Sequence, residues 1–204
     1  SRDFGVSVKG GSNIVYHAMV ANGSSNKTET DNGKKVYGSL GYKSGGFFVE
    51  AMAQYDRAKG MHDNTILQGF AAYQGDWGRV GLQYAYDSYK EQDADEALNY
   101  NVASAFVVFK ASPKIDLIGR FDYNFGEGWK QSFNGSKVAY VPFARNHEFN
   151  FVIAALSWQA HKNVWIIPNL KLATYSENDL MKDLPDYEKP GNDVYTNLTL
   201  WFKF

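Results

Sequence analysis

The chain has 204 residues, enough for one all-β domain, and its formal net charge of -1 gives no reason to expect a nucleic-acid partner. Mean hydropathy is polar at -0.43 and no run of 18 apolar residues occurs, which excludes a membrane-spanning helix. A strand-built barrel escapes that test, because each strand needs apolar side chains only on its lipid face. Cysteine is absent, which suits passage through an oxidising compartment and is also common in the cytosol.

Period-two alternation predicts strands near 3–9, 13–21, 35–43, 47–56, 65–74, 79–87, 98–109, 115–125, 148–158, 164–175 and 194–204, about eleven in all. In the fourth, Phe47, Val49, Ala51, Ala53 and Tyr55 alternate with Glu50, Met52, Gln54 and Asp56. Val80, Leu82, Tyr84 and Tyr86 oppose Arg79, Gln83 and Asp87 in the sixth. The run Val102 to Phe109 is apolar on both faces, so its orientation stays open. The clearest alternation is Ile115 to Phe125, where Asp116, Arg120, Asp122 and Asn124 share one face. Charges of both signs on one strand face suit a solvated lumen better than a packed core.

Short turns at 10–12, 44–46, 75–78, 111–113 and 161–163 alternate with longer polar connections at 22–34, 57–64, 88–97, 126–147 and 176–193. An antiparallel up-and-down transmembrane β-barrel predicts that rhythm, and a Greek-key sandwich does not. The expected count is odd, whereas bacterial single-chain barrels have even counts. Residues 1–204 are therefore expected to be one barrel domain that lacks N-terminal strands.

The final strand, Leu198-Thr199-Leu200-Trp201-Phe202-Lys203-Phe204, resembles the C-terminal signature strand of bacterial outer-membrane barrels. That resemblance implies the outer membrane as location and the barrel assembly machinery as a partner. The opening Arg2-Asp3-Phe4-Gly5-Val6-Ser7-Val8-Lys9-Gly10 continues through Tyr16 to Asn22-Gly23, Gly33-Lys34-Lys35 and Gly38-Ser39-Leu40-Gly41-Tyr42. Over roughly residues 1–45 it resembles the middle of the phosphate-selective porin O/P-type family. The resemblance implies a sixteen-stranded barrel, usually trimeric, of which this chain would be the C-terminal portion. It also implies a channel for passive diffusion of small hydrophilic solutes or ions, anions such as phosphate among them, with membrane lipid and lipopolysaccharide around it.

Pore-lining candidates are Lys9, Lys35, Lys43, Glu50, Arg79, Asp116, Arg120, Asp122 and Lys171, with Asp56 and Glu148 beside them. Rings of one sign select ions; this set is mixed, which predicts weak selectivity and internal ion pairing. Interfacial aromatic girdles are expected from Trp77, Tyr84, Tyr86, Tyr123, Phe125, Trp158, Trp165, Tyr175 and Trp201. His17, His62, His147 and His161 have no metal-ligand spacing, and no serine–histidine–aspartate signature is visible, so no metal, cofactor or catalytic set is expected. Two alternatives stay open: a structural or partner-binding barrel with an occluded lumen, favoured by bulky inward Tyr37, Phe48 and Tyr195, and an outer-membrane hydrolase.

Overall fold

Strands that keep one apolar and one polar face over ten or more residues should pair edge to edge with every neighbour in phase. The computed structural model shows this, and describes residues 4–23, 33–58, 62–91, 93–131 and 144–203. Arg2, Asp3 and the terminal Phe204 lie outside the described residues. The strands are β1 (Gly5–Gly11), β2 (Ile14–Asn22), β3 (Lys34–Ser44), β4 (Phe47–Ala58), β5 (His62–Gly75) and β6 (Gly78–Glu91). They continue as β7 (Leu98–Ser112), β8 (Ile115–Phe125), β9 (Phe149–His161), β10 (Val164–Tyr175) and β11 (Asp193–Phe202), with a short helix α1 (Glu127–Gln131) after β8. All pair antiparallel in sequence order as one 11-stranded sheet. Among the described residues β1 pairs only with β2 and β11 only with β10, so both edges are open.

The short turns follow local chemistry. β3 and β4 are joined by Gly45-Gly46, both at positive φ (53° and 88°), the two-residue geometry whose twist matches a hairpin. The long-connection ends differ from expectation at two places. Strands β4 to β6 run further than predicted, through Arg57, Asp63 and Lys90, so only 59–61 separate β4 from β5. Cross-strand polar partners such as Arg57 opposite Asp63 continue the ladder past the apolar zone.

Register shows how the strands tilt. Direct cross-strand partners run Tyr42–Val49–Ala71–Leu82–Ala105–Phe121–Val152–Leu172–Val194. The line starts beside the short turn that ends β3 and finishes at the long-connection end of β11. Such a cumulative stagger is what a tilted barrel wall requires.

All of those partners are apolar, and so is most of that face away from its long-connection end. Val6 (82% exposed), Leu40 (61%), Leu82 (59%) and Leu198 (66%) lie on it with most of the other exposed large hydrophobics. Exposure of this extent on one face, with charges on the other, is the pattern of a lipid-facing surface rather than of two aliphatic layers meeting in a core. Neighbours also settle β7. Ala103, Ala105, Val107 and Phe109 face the apolar side, and Val102, Ser104, Phe106 and Val108 face the polar side, opposite Asn124, Asp122, Arg120 and Ile118.

A small packed core sits on the polar face, where Phe149, Phe151, Ala173 and Tyr175 are buried against Trp129, Ala144, Ile153 and Tyr195. Here α1 folds back over the sheet. Trp129 meets Phe149 edge-on (5.3 Å between ring centroids) and Tyr100 edge-on (5.4 Å), and its indole N–H donates to the Asn101 carbonyl (3.2 Å). Gly128 lies flat on Tyr100, where a Cβ would come within 2.6 Å of the ring.

Candidate functional site: the polar face

Side-chain parity carries every charged candidate to the polar face: Lys9 on β1, Lys35 and Lys43 on β3, Glu50 on β4, Arg79 on β6, Asp116, Arg120 and Asp122 on β8, and Lys171 on β10. They spread across the sheet instead of converging. Ion pairs form at two places. Lys35 lies 3.7 Å from Asp56, which also has His62 at 3.9 Å, and Arg120 binds Asp122 at 2.9 Å. Glu50 accepts a hydrogen bond from Ser39 (3.2 Å), and the Lys43 ammonium sits 5.6 Å from the Phe48 ring. Lys9 stands opposite His17, Arg79 opposite Gln74, and Asp116 opposite Lys110. Glu148 does not line a strand: it precedes β9, accepts from the Gly126 amide (2.7 Å) and lies 3.8 Å from Lys130.

Lys110, Asp87 and Asp193 join the same face. Alternation had already set Asp87 on that face with Arg79 and Gln83, whereas Lys110 and Asp193 lie near strand ends, where a reading by alternation alone loses its phase. Sequence reasoning gave no role to Phe70, Phe106 or Gly81. Phe70 stacks on Phe106 (6.4 Å between ring centroids, 12° between planes) and packs against Phe48 (6.0 Å). Gly81 lies under the Phe106 ring, where a Cβ would meet it at 2.4 Å. Nothing local in the sequence announces this row, because its members come from β4, β5 and β7.

The expected girdles divide. Tyr84, Tyr86, Tyr123, Phe125 and Trp158 are on the apolar face, and Trp77 is in the turn before β6. Tyr84 and Tyr86 donate to the side chains of Asn101 and Asn99 (both 2.7 Å), which satisfies the hydroxyls where the face turns polar. Trp165, Tyr175 and Trp201 are corrections. They fall on the polar face, Trp165 against Trp201 (4.4 Å between ring centroids) and Tyr175 in the small core, where its hydroxyl donates to Asp193 and accepts from the Ala144 amide. Their positions near strand ends suggested a girdle; parity places them on the other side.

Tyr37, Phe48 and Tyr195 also face the polar side. The connection after β8 turns toward the same side through α1. Lys130 ties it down, with Glu127 at 3.6 Å, Glu148 at 3.8 Å and Asp179 at 3.8 Å. Asn178, fully buried, donates to the Lys130 and Asn146 carbonyls (3.0 and 2.7 Å) and accepts from the Leu180 amide (2.9 Å). The middle of this connection, residues 132–143, lies outside the described residues. His17 contacts Tyr37, His62 contacts Asp56 and His147 contacts Tyr187, none of them a serine–histidine–aspartate chain.

Among solved structures the chain is similar to an anion-selective porin from Comamonas acidovorans, with TM-score 0.66 and 9% identity over 84% of this chain and 48% of that one. It is also similar to in-vitro folded OmpT, an outer membrane protein of Vibrio cholerae (TM-score 0.69, 9% identity, 98% of this chain and 64% of that one), and to OmpT lacking loop L8 (0.67, 10%, 97% and 62%). No protein-family model matches the chain, and no curated protein sequence does. The likeness is one of fold: this is an outer-membrane β-barrel architecture, all-β and up-and-down. The chain spans about half to just under two thirds of the length of those barrels.

Proposed function

We propose that this chain forms much of the wall of a porin-type channel in the outer membrane, along whose polar face small hydrophilic solutes and ions diffuse passively. The observation that carries the reading is the separation of faces. Apolar side chains meet lipid, the ladder takes up the backbone groups, and charged and amide side chains line a solvated path. Cations and carboxylates are interspersed on that path, which supports weak selectivity rather than a phosphate filter. The open edges of β1 and β11 support further strands closing the barrel, since unpaired backbone groups in lipid cost several kcal/mol each. Membership of the phosphate-selective O/P-type family, trimeric assembly and handling by the barrel assembly machinery rest on the sequence resemblances alone.

A second reading, an occluded barrel, draws support from α1 and from Tyr37, Phe48 and Tyr195 on the polar face. Reconstitution of the whole protein into planar bilayers should give ohmic conductance steps. A sealed bilayer would reject the channel, and a swelling assay with sugar-loaded liposomes separates a narrow pore from a closed one.

A further inference from the structure

Charged side chains are nearly absent from the apolar face of the described strands; the exceptions are Lys34, Arg57, Asp63 and Lys90. These are not scattered. Lys34 is the cross-strand partner of Arg57, Arg57 of Asp63, and Asp63 of Lys90, so they form one row across β3 to β6. The row lies at the long-connection end, directly beyond Val36, Tyr55, Thr65 and Ser88. The corresponding ends of β8 to β11 carry Tyr123, Asn150, Thr174 and Val194 on that face, with no charge.

Neighbouring strands are about 4.8 Å apart, so three cations and one carboxylate share a narrow strip that is exposed and faces away from the lumen. Their side chains are held in place. Asp63 takes the Nε edge of Arg57 (3.3 Å) and accepts from the Tyr55 hydroxyl (3.4 Å). Lys90 donates to the Asp95 carbonyl (3.1 Å), and Lys34 to the Gly33 carbonyl (3.3 Å). Arg57, its side chain 63% exposed, keeps the terminal nitrogens of its guanidinium for a two-point contact with an anion.

We infer that this row is a binding site for the phosphate groups of membrane lipid on the long-connection side of the bilayer. It rests on the barrel reading, which sets the apolar zone in lipid and the row at headgroup depth. Charge sign decides the ligand class. A cluster with net positive charge, bordered by tyrosines and an apolar surface, recruits an anionic headgroup, and each cation near an anionic surface strengthens binding roughly fivefold.

The test uses the whole protein in phosphatidylcholine vesicles with and without phosphatidic acid, read by the thermal transition of its heat-modifiable electrophoretic band. Phosphatidic acid should raise the transition of the unmodified protein. K34Q/R57Q/K90Q should insert and conduct normally yet lose at least half of that shift, whereas D63N, with one carboxylate fewer, should gain a larger one. Equal shifts in all three proteins overturn the site, as does an equal shift from inorganic phosphate in pure phosphatidylcholine. A protein that inserts and conducts without discriminating lipids defeats this inference alone; one that never inserts defeats the barrel reading with it.

Discussion

The polar face is built differently at its two sides. Across β1 to β6 it is half-buried and studded with separate polar groups such as His17, Ser39, Gln54 and Gln68, with Met52 between them and no layer packed over them among the described residues. Across β8 to β10 it is closed over by the chain itself. Phe149 is 1% exposed, Ala173 and Asn178 are fully buried, and α1 is pinned by Lys130 and Trp129. The same strand chemistry thus supports a wet wall on one side and a small dry core on the other. The difference lies in the connections, which bring Trp129, Asn178 and Tyr187 over one part of the sheet and leave the other part uncovered among the described residues.

Several measurements would break or sharpen this contrast. The largest effect is expected from Phe149→Ala, which removes the centre of the dry core and should cost about 3–5 kcal/mol in urea-driven unfolding from vesicles. Met52→Ala, on the wet side, should cost under about 1 kcal/mol; similar losses at the two positions would erase the distinction. Asn178→Ala leaves two carbonyls and one amide of the connections without their partner. It should lower stability by roughly 2 kcal/mol and add current noise to single open channels as α1 loosens. On the wet side the effects should be electrical. Changing Lys9, Lys43 and Arg79 together to Glu is expected to move the reversal potential in a salt gradient toward cation preference, while Lys182→Glu, in the connection after β10, leaves it in place. The smallest change is expected for Arg120→Gln. The Arg120 side chain is half exposed, although Asp122 beside it is buried, and the pair should contribute about 1 kcal/mol, visible as a small shift in the urea midpoint.

Most of the wall was legible in the residues. Alternation at Phe47–Tyr55 and Ile115–Phe125 fixes both strand positions and faces, because side chains on a strand switch sides at every residue. Glycine pairs such as Gly45-Gly46 mark tight turns for an equally local reason. The same parity put the charged candidates on one face, since the face of a side chain is set within its own strand. Where parity was not used, the reading failed. Trp165, Tyr175 and Trp201 were assigned by closeness to a strand end, and each turned to the polar side.

What alternation could not decide needed neighbours. The run Val102–Phe109 is apolar on both faces, and only pairing with β6 and β8 orients it. The stacking of Phe70 on Phe106 over Gly81, the burial of Asn178 under α1, and the alignment of Lys34, Arg57, Asp63 and Lys90 in one row all join residues from separate strands. The amino-acid sequence determined which side of most strands is greasy and which is polar, because that choice is made residue by residue within the strand. The tertiary structure alone decided which of those side chains stand next to one another, because register and the path of each connection are set between strands and not within them.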